Sequence, residues 1–147
     1  MEFYSKKLKI DENSILIVRG CGPVGYPGSA EVINMQPPDR LLKKGITHLP
    51  TLGDGRQSGT SESPSILHVS PESAVGGDLG IVKTGDKMKI DLNKRRVDLL
   101  ISQSEFKKRR KNKKLFKADN QTPWQEIFRN TVGQLEDGAC INSQGNY

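Results

Sequence analysis

A mainly β fold with peripheral helices, closing as a barrel or sandwich, is predicted from three observations. Short runs of Val, Ile and Leu recur along the chain, each of strand rather than helix length. Glycine occurs 15 times and interrupts these runs at close intervals, whereas aromatics are only 5% of the residues, which suits tight turns better than a helical bundle. The segment 87–92 alternates polar and apolar side chains, the period of a half-buried strand. At 147 residues, one domain is expected, able to bury a core without disulfides or a metal.

Residues 1–13 are charged and form a lead-in, and 14–147 form the domain. A β-branched, apolar strand is predicted over 14–19, ended by Gly20. Residues 20–28 hold four glycines and two prolines, which exclude regular structure and make a shaped loop. Ser29 is placed to cap a short helix over 30–34, stopped by Pro37-Pro38. Asp39 caps another over 40–44, closed by Gly45. Strands follow over 46–52 and 65–69. A helical turn over 70–75 carries proline early, and Gly76-Gly77-Asp78 breaks it. A strand is expected over 79–82. The strands over 87–92 and 97–101 pair across a turn at 93–96. Ser104 is placed to cap a helix from Glu105 to about Phe116. Thr122-Pro123 introduces a last helix over 124–132, with Trp124 as its packing anchor.

The most informative stretch is Gly53-Asp54-Gly55-Arg56-Gln57-Ser58-Gly59-Thr60-Ser61. Three glycines in seven positions let the backbone approach a ligand closely, and the intervening side chains are nearly all hydrogen-bonding groups. Apolar segments on both sides hold this loop at the edge of a core, where binding residues concentrate. Asp54 is expected to accept loop amides rather than to do acid–base work. His48 and His68 stand in apolar strand contexts, which predicts packed or hydrogen-bonded rings.

The net charge of +6 is concentrated in residues 107–114, so it says little about the partner of the whole domain. That run reads as a solvated helix face. With few aromatics beside it to stack on bases, nucleic acid is an unlikely partner. Nothing is long and apolar enough to span a membrane, and 1–10 lacks the apolar core of a signal peptide, so a cytoplasmic setting is expected. Cys21 and Cys140 fit a reducing compartment as free thiols.

The sequence resembles a known family at three places. They are Arg19-Gly20-Cys21-Gly22-Pro23-Val24-Gly25-Tyr26-Pro27-Gly28-Ser29-Ala30-Glu31-Val32, the loop at 53–61, and Asp91-Leu92-Asn93-Lys94-Arg95-Arg96-Val97-Asp98. Together they look like the C-terminal domain of the dihydroxy-acid and sugar-acid dehydratases. The wording at 27–32 and Thr122-Pro123-Trp124-Gln125-Glu126 is most similar to the pentonate branch. The resemblance implies an eight-stranded, barrel-like domain. It also implies loss of water from a 2,3-dihydroxy acid to give a 2-keto-3-deoxy acid, with magnesium and an iron–sulfur cluster as cofactors.

By the same resemblance, Ser58 matches the serine that takes the C2 proton, and Thr60 a hydroxyl that touches substrate. Glu31 matches the carboxylate this domain gives to magnesium. Amides of Gly59 and Thr60 would help stabilise the serine anion, and Arg56 would brace the loop. These types suit the chemistry: magnesium prefers oxygen ligands, and a serine hydroxyl is a poor base unless cations and donors stabilise its anion. Glu62 departs from the small residue usual there and is expected to point outward. The cluster cysteines and remaining magnesium ligands belong to an N-terminal domain that the resemblance places outside this chain. The chain is therefore expected to be inactive alone and to need that domain or a full-length subunit, in a parent enzyme that is a homo-oligomer. An uncovered face around 23–32 and 58–65 predicts self-association.

Overall fold

Leu16, Ile17 and Val18 lie between the charged lead-in and the first glycine, and their side chains drive the first strand into the core. The computed structural model describes residues 8–33, 37–58, 64–119 and 122–141, with only the backbone at 32, 33, 57 and 58. The strands are β1 (Leu16–Val18), β2 (Val32–Ile33), β3 (Thr51–Gly53), β4 (Gln57–Ser58), β5 (Ser65–Ile66), β6 (Met88–Asp91) and β7 (Arg96–Leu99). The α-helices are α1 (Asp39–Leu42), α2 (Gln103–Lys111) and α3 (Pro123–Thr131).

These strands form three open sheets and no barrel among the described residues. β3 lies between β1 and β5, both parallel to it. β2 pairs with β4, also parallel, and β6–β7 is an antiparallel hairpin. The expected closed, mainly β barrel is thus corrected. Closure requires each strand to hold a neighbour on both sides in a continuous stagger. Strands of two to four residues bounded by glycine and proline give ladders too short for that.

Two local expectations fail for related reasons. The strand expected over 79–82 is a 3-10 turn, Asp78–Ile81, in which the Gly80 N–H donates to the Gly77 carbonyl at 3.0 Å. The helix expected over 30–34 is replaced by β2 as far as it is described. Ser29 Oγ bonds the Ala30 carbonyl rather than capping, and the β-branched pair Val32-Ile33 joins β4 instead.

The hairpin and α3 form where expected, whereas α2 starts two residues early and stops at Lys111, short of the expected Phe116. Ser102, not Ser104, caps α2 by accepting from the Glu105 N–H at 3.2 Å. Thr122 caps α3 by accepting from the Gln125 N–H at 3.3 Å, with Pro123 in the first turn, where its missing N–H costs nothing. α1 begins after Pro38 with no side-chain cap.

The core consists of three apolar groups. Leu16, Leu41 and Leu49 pack between β1 and α1. Leu52, Leu79 and Val82 pack beneath the parallel sheet, joined by Ile17, Ile66 and Leu99. Val24, Ala74 and Val132 join the first glycine loop to the end of α3, with Phe128 against them.

The basic run is partly consumed in fixing α2. Arg109 binds both Asp86 oxygens at 2.5 and 3.1 Å and Glu105 at 2.7 Å. Arg110 pairs with Asp78 at 3.0 Å, and Lys113 donates to the Gly76 carbonyl at 2.6 Å. The Arg109 hydrogen bonds hold the Asp86 carboxyl below its ordinary range.

Candidate functional site

The carboxyl ends of all three strands of the parallel sheet open into one cleft of about 1350 Å³. Cys21 follows β1, Asp54 to Arg56 follow β3, and His68 follows β5; all line the cleft. Parallel sheets place their ligands at this end. The remaining walls are the first glycine loop and one side of α3.

Two fully buried carboxylates give this end its shape. Asp54 is 0% exposed and accepts the N–H groups of Gly20 (3.0 Å), Cys21 (3.1 Å) and Ser73 (2.9 Å), and the Ser73 hydroxyl. Glu72 is also 0% exposed and accepts Val24 N–H at 3.0 Å, Gly25 N–H at 2.8 Å and Gln134 Nε2 at 3.0 Å. Each acid therefore sits in a nest of amides, and between them they hold both halves of the 20–28 loop. A Cβ on Gly22 would stand 2.4 Å from Glu72 Oε2, so only glycine fits there. The expectation that Asp54 accepts loop amides describes what it does. Glu72 and Ser73 went unrecognised, because nothing local in Ser70-Pro71-Glu72-Ser73 marks an acid that reaches back across 47 residues.

Of the expected site residues, Glu31 is exposed and directly precedes β2, and Ser58 ends β4. The register pairs Val32 with Gln57 and Ile33 with Ser58. Glu31, just before β2, and Ser58, at the end of β4, are thus two positions apart across the pair, a Cα separation of about 8 Å if strand spacing and rise extend one residue further. Arg56 is exposed, lines the cleft, and makes no hydrogen bond or ion pair among the described residues. Gly59, Thr60 and Glu62 lie outside the described residues, as does most of 58–65.

Two expectations are corrected here. His68 is exposed rather than packed, with φ 55° in the left-handed region that non-glycine residues rarely adopt, and it faces the cleft. His48, by contrast, is half-buried and hydrogen-bonded as expected, with Nδ1 2.7 Å from Thr47 Oγ1. Trp124 is 78% exposed, so it is no internal anchor. Gln125 and Arg129 tie α3 down instead. Gln125 Nε2 donates to the Pro27 carbonyl at 3.0 Å, and Arg129 to the carbonyls of Val24 (2.8 Å) and Ala118 (2.7 Å).

The residues present do not by themselves fit either implied cofactor. Among the described residues no group of three or more His, Cys, Asp and Glu could hold a metal ion. Glu31 is a single exposed carboxylate, whereas Asp54 and Glu72 are fully buried and engaged with loop donors. Burial pushes the Cys21 thiol up, away from the thiolate that metals bind, and Cys140 is exposed. No helix among the described residues is long and apolar enough to cross a membrane.

Residues 1–139 match the model of the dihydroxy-acid/6-phosphogluconate dehydratase C-terminal family. The chain is 56% identical over 134 residues to D-xylonate dehydratase of Caulobacter vibrioides, covering 91% of this chain and 22% of that protein. It is 50% identical over 102 residues to L-arabinonate dehydratase of Rhizobium leguminosarum bv. trifolii, covering 69% and 18%. Against dihydroxy-acid dehydratase of Thermodesulfovibrio yellowstonii it is 40% identical over 134 residues, covering 90% and 24%. The chain thus spans about a quarter or less of the length of these relatives. With a match that runs through the glycine loops, the cleft and α3, the chain belongs to the dihydroxy-acid/6-phosphogluconate dehydratase family, in its C-terminal region.

Proposed function

We propose that this chain is the proton-abstracting half of a sugar-acid dehydratase site, acting on a five-carbon 2,3-dihydroxy acid such as xylonate or arabinonate. The similarity to D-xylonate and L-arabinonate dehydratases supports the substrate class. The observation that supports the reading is the parallel β2–β4 register, which sets Ser58 two positions on from Glu31 across the pair, next to the cleft-lining Arg56.

In this reading Ser58 Oγ removes the proton from C2, and the C3 hydroxyl departs as water. The enol that forms takes a proton at C3 to become the 2-keto-3-deoxy acid. Thr60 hydrogen-bonds the substrate, and amides of Gly59 and Thr60 stabilise the Ser58 anion. Glu31 would hold magnesium through one carboxylate oxygen, and Arg56 supports the loop. Magnesium and an iron–sulfur cluster, when bound, supply the positive charge that lowers the cost of the serine anion and of the departing hydroxyl. Their other ligands come from polypeptide outside this chain, so the chain alone does not turn over.

The test replaces the matched region of C. vibrioides D-xylonate dehydratase with this chain and follows 2-keto-3-deoxy acid formation. The chimera is expected to dehydrate xylonate, and Ser58→Ala to lower kcat by about 10²–10⁴-fold, the usual loss of a general base. Unimpaired turnover by Ser58→Ala refutes the role of Ser58. Turnover by the isolated chain refutes its dependence on other polypeptide.

A further inference from the structure

α3 carries apolar side chains on two faces: Phe128 packs against the Val24, Ala74 and Val132 core, and a second apolar face is left uncovered. Its hydrogen-bonding residues Gln125 and Arg129 face the chain's own glycine loop, where they bind the carbonyls of Pro27 and Val24, and Arg129 also binds the Ala118 carbonyl. Its large apolar residues Trp124 and Ile127 are 78% and 53% exposed and line the cleft. Ile141, which also lines the cleft, is 63% exposed and extends the same surface. A surface helix whose apolar residues all packed on its own core would leave no such second apolar face exposed.

Substrate does not explain this wall. A sugar acid carries a hydroxyl on nearly every carbon, and burying those against Trp and Ile would leave them without partners. The cleft, about 1350 Å³, also exceeds the roughly 300–1,000 Å³ typical of small-ligand pockets. Exposed aromatic and aliphatic side chains beside a polar site have the character of the core of a protein interface.

We infer that the Trp124–Ile127 face of α3 is the seat for the polypeptide that precedes the matched region in the longer relatives. In the C. vibrioides protein the aligned part is 22% of the length, so more than three quarters is available to cover it. The face is continuous with the cleft that Arg56 and His68 line. A segment seated there closes the apolar half of the cleft and leaves the polar half for substrate. This inference rests on the proposed dehydratase role, since it assigns the missing part of that site to the same incoming polypeptide.

Trp124 is the only tryptophan in the chain, so its oxidation can be read without ambiguity. Hydroxyl-radical footprinting with mass spectrometry compares the isolated chain with the chimera described above. Trp124 is expected to be modified about tenfold more slowly in the chimera, as for a residue moved to an interface core. Ile127→Asp should restore fast modification, whereas Lys107→Asp on α2 should leave the footprint unchanged. The same footprint on this chain mixed with the relative's N-terminal polypeptide gives an independent reading if the chimera does not fold. Equal modification in both contexts overturns the inference. So does protection of Trp124 in a dimer of the isolated chain that the N-terminal polypeptide does not displace, because a second copy is then the occupant. A chimera that shields Trp124 without dehydrating xylonate leaves the docking face standing and removes the catalytic reading. Turnover with Trp124 fully modified does the reverse.

Discussion

Replacing Glu72 by alanine should be among the most damaging single changes to this chain, and its size follows from three hydrogen bonds. The carboxylate is 0% exposed and accepts two backbone amides, at 3.0 and 2.8 Å, and the Gln134 amide. Hydrogen bonds to a charged group contribute about 1.5–3 kcal/mol each, so the two amides alone give about 3–6 kcal/mol. A water entering the vacated space would recover part of this, leaving about 3–5 kcal/mol, the usual cost of removing one partner of a buried ionic contact. At about 2–4 °C per kcal/mol for a chain of this size, Tm should fall by roughly 6–20 °C.

Urea and thermal unfolding followed by circular dichroism measure this directly. The sharper test is a cycle with Gly22→Ala. A Cβ at position 22 would lie 2.4 Å from Glu72 Oε2 and 2.9 Å from its Cβ, so the alanine is costly while Glu72 is present. Once Glu72 is alanine, most of the clash is gone. The double variant should therefore be less destabilised than the sum of the singles by at least about 1 kcal/mol. Additive losses, or a Glu72→Ala loss under about 1 kcal/mol, would refute the picture of Glu72 as the clasp of the glycine loop.

Two further outcomes are expected. A Cβ on Gly77 would stand 1.7 Å from the Pro71 carbonyl oxygen, so Gly77→Ala should prevent accumulation of folded chain. Gly28→Ala, at φ +72 but with nothing within 4 Å, should cost only about 1–2 kcal/mol for the left-handed backbone; equal soluble yields for the two would contradict this. Asp86 is held below its ordinary value of 3.8, mainly by the Arg109 hydrogen bond, so its contribution is complete above that pH and is lost as pH falls through the lowered value. Asp86→Asn should lower Tm at neutral pH and flatten the loss of stability below about pH 4, the unfolded carboxyl range; an unchanged acid limb would show that Asp86 does not contribute to it.

The legible parts of the fold were those decided by neighbours in sequence. The β6–β7 hairpin follows from its own alternation, and α3 from Thr122 and Pro123, because period and capping are local. The open parallel sheet was not legible. β1, β3 and β5 are apolar runs that look alike whether they close a barrel or stack in parallel, and their partners lie far away in the chain. Residues 79–82 misled because Leu-Gly-Ile-Val reads as a strand, while Gly77 against the Pro71 carbonyl forces a tight turn just before it. Trp124 misled because a tryptophan on a helix is ordinarily buried, and only the orientation set by Gln125 and Arg129 turns it outward.

The site was legible in kind but not in arrangement. The stretch at 53–61 stands out by composition, yet its conspicuous acid serves the backbone. Asp54 and Glu72 are both fully buried, and both oxygens of each already accept hydrogen bonds that hold the backbone, so their placement serves the loops. Among the described residues, Glu31 is by contrast an exposed acid close in register to Ser58. The division has a consequence for reading mutants. In the chimera with the D-xylonate dehydratase, the role proposed for Glu31 predicts that a Glu31 variant loses turnover at unchanged Tm, whereas an Asp54 variant should lose both together, because its four donors hold Gly20, Cys21 and Ser73 in place. Activity loss at Asp54 therefore carries no information about acid–base chemistry unless stability is measured beside it, and a stable, inactive Asp54→Asn would mean that the buried carboxylate does more than shape the loop.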